Sequence, residues 1–116
     1  PTLPEDLVPY WDYNAPKIPN EPRDASAAAC TASALYELET FAPGKGYKQT
    51  ADKIIESLSS PAYRAKVGTN GNFILMHSVG SIPHGHEIDT PLNYADYYFM
   101  EALLRKQHYE SGKAVR

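Results

Sequence analysis

A single cysteine, Cys30, is all the thiol chemistry the sequence holds, so no internal disulfide braces the fold and no oxidising compartment is required. Nothing nearby would activate it, and its setting among small helical residues predicts a packing role. An excess of charge of one sign is also lacking: 11 basic residues stand against 14 acidic ones, unclustered, for a net charge of −3. That balance offers no footprint for nucleic acid or an anionic membrane surface. No run approaches the roughly 20 apolar residues of a membrane span, and residues 1–7 lack the basic start and apolar stretch of an export signal. The expectation is a soluble chain, cytoplasmic or periplasmic, with neither nucleic acid nor membrane as partner. An initiating methionine is missing too, and the gene product is expected to begin elsewhere than at Pro1.

What is present suffices for a core: 116 residues, 42% of them hydrophobic, make one modest domain. Six prolines fall in residues 1–22 (Pro1, Pro4, Pro9, Pro16, Pro19 and Pro22), where fixed φ and missing donors predict an ordered loop rather than a helix. Tyr10, Trp11 and Tyr13 are poor linker residues, and they place this loop across a packed surface or a pocket. Residues 24–41 read as an alanine-rich helix with Asp24 as its cap, ended by Pro43-Gly44. Over 48–58, Ala51, Ile54, Ile55 and Leu58 recur at the spacing of one helix face. Asn70-Gly71 marks a turn, and residues 73–88 form an extended apolar segment (73–76) followed by a glycine- and proline-bearing loop. The last helix is placed over 90–107, with Pro91 in its first turn.

The three helices differ in amphipathicity. Residues 48–58 carry one apolar stripe and one charged face, as befits a helix covered on one side. Residues 25–36 are small and uncharged around the whole circumference, and 92–104 put Leu92, Tyr94, Ala95, Tyr97, Tyr98, Phe99, Met100, Ala102 and Leu103 on almost every face. Both patterns predict burial all round. Three helices alone supply too few partners for that, whereas a double-layered helical arrangement buries its inner helices on both sides. The chain reads as part of something larger.

Three separated blocks then carry a resemblance. Val8-Pro9-Tyr10-Trp11-Asp12-Tyr13-Asn14-Ala15-Pro16 with Ile18-Pro19-Asn20-Glu21-Pro22-Arg23-Asp24-Ala25-Ser26, then Met76-His77-Ser78-Val79-Gly80-Ser81, then Glu87-Ile88-Asp89-Thr90-Pro91-Leu92-Asn93-Tyr94-Ala95-Asp96 stand in the order found in the carboxy-terminal part of glycoside hydrolase family 88, the unsaturated glucuronyl hydrolases. The resemblance implies an all-α chain forming the last portion of an (α/α)6 barrel over residues 1–116, with 24–41 and 90–107 as inner helices and 48–58 as an outer one. It implies removal of the C4–C5 unsaturated uronic acid from the non-reducing end of lyase-generated oligosaccharides. A carboxyl group delivers a proton to C4, water adds at C5, and the resulting hemiketal opens as the glycosidic bond breaks; that acid must be held protonated near neutral pH and then act as base. The family's catalytic aspartates match no residue here and are expected upstream. The resemblance implies no cofactor and no metal. The partners it implies are the unsaturated oligosaccharide and the remaining segment of the same barrel.

Five residues are candidates for substrate binding. Ser78 and Ser81 resemble a Ser-x-x-Ser-x-Lys loop that some members use to hold a substrate sulfate, although Pro83 stands in place of the lysine and removes its charge-assisted bond. Trp11, with Tyr10 and Tyr13, offers a stacking surface for a sugar ring, against the alternative of core packing. Arg23 is suited to a two-pronged contact with a substrate carboxylate, against a structural ion pair. Asp24 points a carboxylate at the pocket or caps its helix, and the same choice holds for Asp89. His77, His84 and His86 with Glu87 have a spacing reminiscent of a metal site but lack further ligands. Two other readings compete with the hydrolase: a noncatalytic carbohydrate-binding or structural remnant of a truncated gene, and a related unsaturated rhamnogalacturonyl hydrolase.

Overall fold

The computed structural model describes residues 3–12, 14–80 and 88–110. Three α-helices account for about half of them: α1 over Ala25–Phe41, α2 over Tyr47–Ser59 and α3 over Asn93–Glu110. No strand occurs among the described residues, and the extended stretches meet only as isolated bridges, Tyr10 with Arg23, Arg64 with Leu75 and Ser78 with Thr90.

α1 begins where it does because the Asp24 carboxylate accepts the Ser26 amide at 3.0 Å, satisfying a donor that the first helical turn leaves without a partner. It ends at Ala42, whose amide still reaches the Leu38 carbonyl before Pro43 and the left-handed Gly44 turn the chain. α1 packs against both α2 and α3, which barely touch one another, so it is the centre of the assembly. Its contact face is built of Ala25, Ala28, Ala29 and Ala32, all buried, and such small side chains let two helix backbones approach closely. α2 answers with Ala51, Ile54, Ile55 and Leu58, and α3 with Ala95, Phe99 and Ala102. Tyr36, fully buried, closes the far end of this core: its hydroxyl donates to Asp52 on α2 at 2.6 Å, and its carbonyl accepts the Tyr109 hydroxyl of α3 at 2.7 Å.

α3 starts three residues later than position 90. Thr90 is held in backbone pairing with Ser78, and Asp89 takes a left-handed φ of 53°, so neither belongs to the helix and Asp89 does not cap it. In the first turn Asp96 accepts the amides of Ile74 and Leu75 at 2.8 and 3.0 Å, which pins the extended segment against α3.

Among the described residues α1 and α3 are each covered on one side only, so the burial all round expected of them within a larger assembly is not supplied by this chain. Each helix buries one face and leaves the other open: Leu38 and Phe41 on α1, and Tyr94, Tyr97, Met100 and Leu104 on α3, are exposed, Phe41 by 78% and Tyr97 by 63%. Cys30 lies on the same open side of α1 rather than in the core. Nothing among the described residues is placed to cover those apolar faces.

Candidate functional site

The N-terminal end of α1 gathers most of the residues singled out by the sequence. The proline-rich loop returns along residues 22–24, with the Trp11 amide donating to the Pro22 carbonyl and the Asp24 amide to that of Pro9. The Ala25 amide donates to the His77 carbonyl, which brings the 76–79 segment to the same place. Asp24 is the junction: besides Ser26, its Oδ1 accepts the Val79 amide at 3.2 Å. The carboxylate therefore caps the helix and ties down a second segment, while lining a cavity of about 220 Å³ with Pro9, Tyr10, Trp11, Asp12 and Ala27. Trp11, half-buried at that cavity, is fixed by its indole N–H donating to Glu21 Oε1 at 3.1 Å.

Arg23 turns the other way. Its Nη1 donates to both oxygens of Asp6 at 2.8 and 3.1 Å, to the Val8 carbonyl and to the Tyr63 hydroxyl, and its guanidinium lies 4.7 Å from the centre of the Tyr10 ring. Tyr63 in turn donates to Asp6 at 2.8 Å. Burial pushes the Asp6 carboxyl up, but hydrogen bonds from Tyr63, the Val8 amide and Arg23 outweigh it and hold it below the usual carboxylate range. Burial and the bond to Asp6 push the Tyr63 phenol well up. The knot staples the N-terminal loop to α1 and to the segment after α2.

Ser78 is fully buried, and its hydroxyl has no hydrogen-bond partner among the described residues; only its backbone is engaged, with Thr90 at 2.9 Å in both directions. Ser81, Tyr13, His84, His86, Glu87 and Pro83 lie outside the described residues. No group of three or more metal-ligating side chains occurs among the described ones. No described helix is long and apolar enough to cross a membrane.

One pair went unread in the sequence. His77 Nδ1 stands 2.6 Å from Asp89 Oδ1, and both residues adopt left-handed backbone, φ 64° and 53°. Such a conformation costs roughly 1–2 kcal/mol for a side chain with a Cβ. Residues in this region persist where the surroundings over-determine them, often at functional sites. The partners are twelve residues apart in separate turns, and no local pattern announces the contact. They line a second cavity of about 500 Å³ with Glu21, Pro22, Arg23, Ala62 and Tyr63.

No family model matches the chain. Among characterised proteins it is 54% identical, over 106 residues, to the unsaturated glucuronyl hydrolase of Formosa agariphila, covering 91% of this chain and 26% of that protein. Among solved structures it matches an unsaturated glucuronyl hydrolase specific for heparin with a TM-score of 0.92 at 49% identity, covering 96% of this chain and 30% of that one. A variant of the Streptococcus agalactiae enzyme complexed with dGlcA-GalNAc6S matches at TM-score 0.81 and 32% identity, over 90% of this chain and 29% of the other. The chain thus spans between a quarter and a third of the length of the relatives it matches.

Proposed function

From the chain's membership of the unsaturated glucuronyl hydrolase family, whose (α/α)6 barrel it covers in part, we propose that it is the wall segment that completes one side of the sugar pocket in such a hydrolase. The whole enzyme removes the C4–C5 unsaturated uronic acid from the non-reducing end of an oligosaccharide by hydrating its vinyl ether. The observation that carries this reading is the 54% identity extending over 91% of the chain.

In this reading α1 and α3 belong to the inner ring and α2 to the outer. The apolar faces left open on α1 and α3 are the surfaces that the remaining helices of the same barrel cover. Trp11 offers its indole to a sugar ring, and Asp24 holds the cavity wall in place through its three bonds. Ser78 and Ser81 are candidate contacts for the substrate, and Arg23 contributes through its knot with Asp6 and Tyr63. The proton-donating carboxyl comes from residues outside this segment, so the segment alone is inactive. The compartment is an aqueous one, cytoplasm or periplasm.

The test is to supply the remaining barrel, fused or co-expressed, and to follow the ultraviolet absorbance of the conjugated double bond in an unsaturated uronyl disaccharide. Decay of that absorbance supports the reading. A folded, complemented barrel that leaves the absorbance unchanged overturns it and favours a noncatalytic remnant.

A further inference from the structure

Of the five asparagines in the chain, only Asn70 is followed by glycine. Gly71 is exposed and has no Cβ to shield its amide nitrogen, which makes that nitrogen the best placed in the chain to attack a neighbouring side-chain amide. The pair sits at the tip of a hairpin. The Ala65 amide donates to the Ile74 carbonyl at 2.9 Å and the Met76 amide to that of Tyr63 at 2.7 Å, with Arg64 paired opposite Leu75.

Asn70, Gly71 and Asn72 turn the chain in three successive left-handed conformations, φ 57°, 59° and 67°. Asparagine tolerates that region better than most side chains, but a run of three still needs something to hold it. The Asn70 side chain does so: its Nδ2 donates to the carbonyls of Phe73 at 3.3 Å and Leu75 at 3.1 Å. Leu75 is fully buried, and its amide and that of Ile74 are both accepted by Asp96 of α3. One amide group thus ties the hairpin tip to the segment by which the hairpin is docked on α3.

We propose that Asn70 is a deamidation site, kept slow by its two hydrogen bonds, whose conversion undocks the 73–76 segment from α3. The Gly71 nitrogen forms a bond to Asn70 Cγ, the Cγ–Nδ2 bond breaks, and Nδ2 leaves as ammonia with the proton that Gly71 releases. Water then opens the cyclic imide at either of its carbonyls, leaving aspartate or isoaspartate. The nitrogen that leaves is the donor of both bonds, so the reaction requires that the hairpin lose them, and the folded state opposes it. Once made, the change runs one way. A carboxylate only accepts, and it faces the Phe73 and Leu75 carbonyl oxygens, which also only accept. Isoaspartate further lengthens the backbone of the turn by one carbon. The inference concerns the chemistry of this turn and stands whether or not the hydrolase reading holds.

The test incubates the chain in mildly alkaline buffer, folded and in parallel in denaturing guanidinium chloride, and follows Asn70 by peptide mass spectrometry. Conversion is expected in both, at least about tenfold slower in the folded chain because there it waits on local opening. Equal rates overturn the protection by the two bonds, and conversion confined to the denatured chain overturns Asn70 as a site in the folded protein. The structural consequence is read separately. Asn70→Asp lowers the urea midpoint, whereas Asn72→Asp, the same change of charge at an exposed side chain two residues on, leaves it in place. A midpoint for Asn70→Asp equal to that of the unsubstituted chain overturns the undocking. Should that variant not fold, the aged unsubstituted chain decides, its deamidated fraction separated by the added negative charge. There the Ile74 and Leu75 amides, which Asp96 accepts, exchange their hydrogens several-fold faster than in the intact fraction, and unchanged protection overturns the proposal.

Discussion

The Tyr36 hydroxyl donates to Asp52 Oδ1 at 2.6 Å, joining α1 to α2 from inside a core built chiefly of alanine, isoleucine and leucine. Burial, followed by the bond to Asp52, pushes the Tyr36 phenol far up, while Asp52 is held low by bonds from Tyr36 and Lys48 against the opposing effect of its own burial. Tyr36→Phe removes the donor and keeps the ring. The loss is about 1–2 kcal/mol, read as a lower urea midpoint with an unchanged slope. An unaltered midpoint would mean that the bond does not hold the two helices together.

Asp24 separates a structural from a substrate role by two substitutions. Asp24→Ala removes the cap and the tie to Val79 together and costs about 1–2 kcal/mol. Asp24→Asn keeps an oxygen facing the Ser26 and Val79 amides, so stability falls by less than about half that amount. If Asp24→Asn destabilises as much as Asp24→Ala, the negative charge itself matters rather than its acceptor geometry.

The sequence made some of this legible and concealed the rest for physical reasons. Ala51, Ile54, Ile55 and Leu58 announce the buried face of α2 because a helix covered on one side must segregate its residues by face. The two ends of α1 are equally readable, since Asp24 at its start and Pro43 and Gly44 after its end act locally. Pro91 is compatible with a first turn and so predicts a start for α3 earlier than Asn93, whereas the Ser78–Thr90 bridge that withholds Thr90 is a contact at long range. Arg23 could be read as a candidate anion binder or an ion pair, but Asp6 and Tyr63, 17 and 40 residues from it, carry no signal that selects them. Cys30 is exposed on the open side of α1, because small neighbours in sequence do not say which face of a helix finds its partner within this chain.

Acid should loosen the N-terminal loop. Asp6 has a folded-state pKa below its unfolded value, so its contribution is full above the ordinary carboxylate value of about 3.9 and is lost as the pH falls through the lower folded value. Asp52 has the same sign. Between pH 6 and pH 3 the urea midpoint of the chain drops, and that of Asp6→Asn, measured in parallel, starts lower and drops less. Parallel curves would show that the Arg23–Asp6–Tyr63 knot does not couple to the titration. The effect is modest, because the Asp6 side chain is 36% exposed and water screens its pairing with Arg23.

The open faces of α1 and α3 predict the behaviour of the isolated chain. With Phe41, Tyr97, Met100 and Leu104 uncovered, it self-associates at high concentration and enhances the fluorescence of a hydrophobic dye. Phe41→Gln with Tyr97→Gln reduces both effects without lowering the urea midpoint, since neither side chain belongs to the core. A dye-silent monomer at all concentrations would contradict the view that these faces wait for further helices.

The central claim is that this chain supplies barrel wall and substrate contacts while the acid chemistry resides in residues it does not contain. The most direct measurement is the ultraviolet absorbance of an unsaturated uronyl disaccharide incubated with the purified 116-residue chain alone. The account predicts an absorbance that stays flat over hours at high protein concentration. Steady decay, proportional to the amount of chain and absent from a mock purification, would contradict it and place a catalytic carboxyl within these residues.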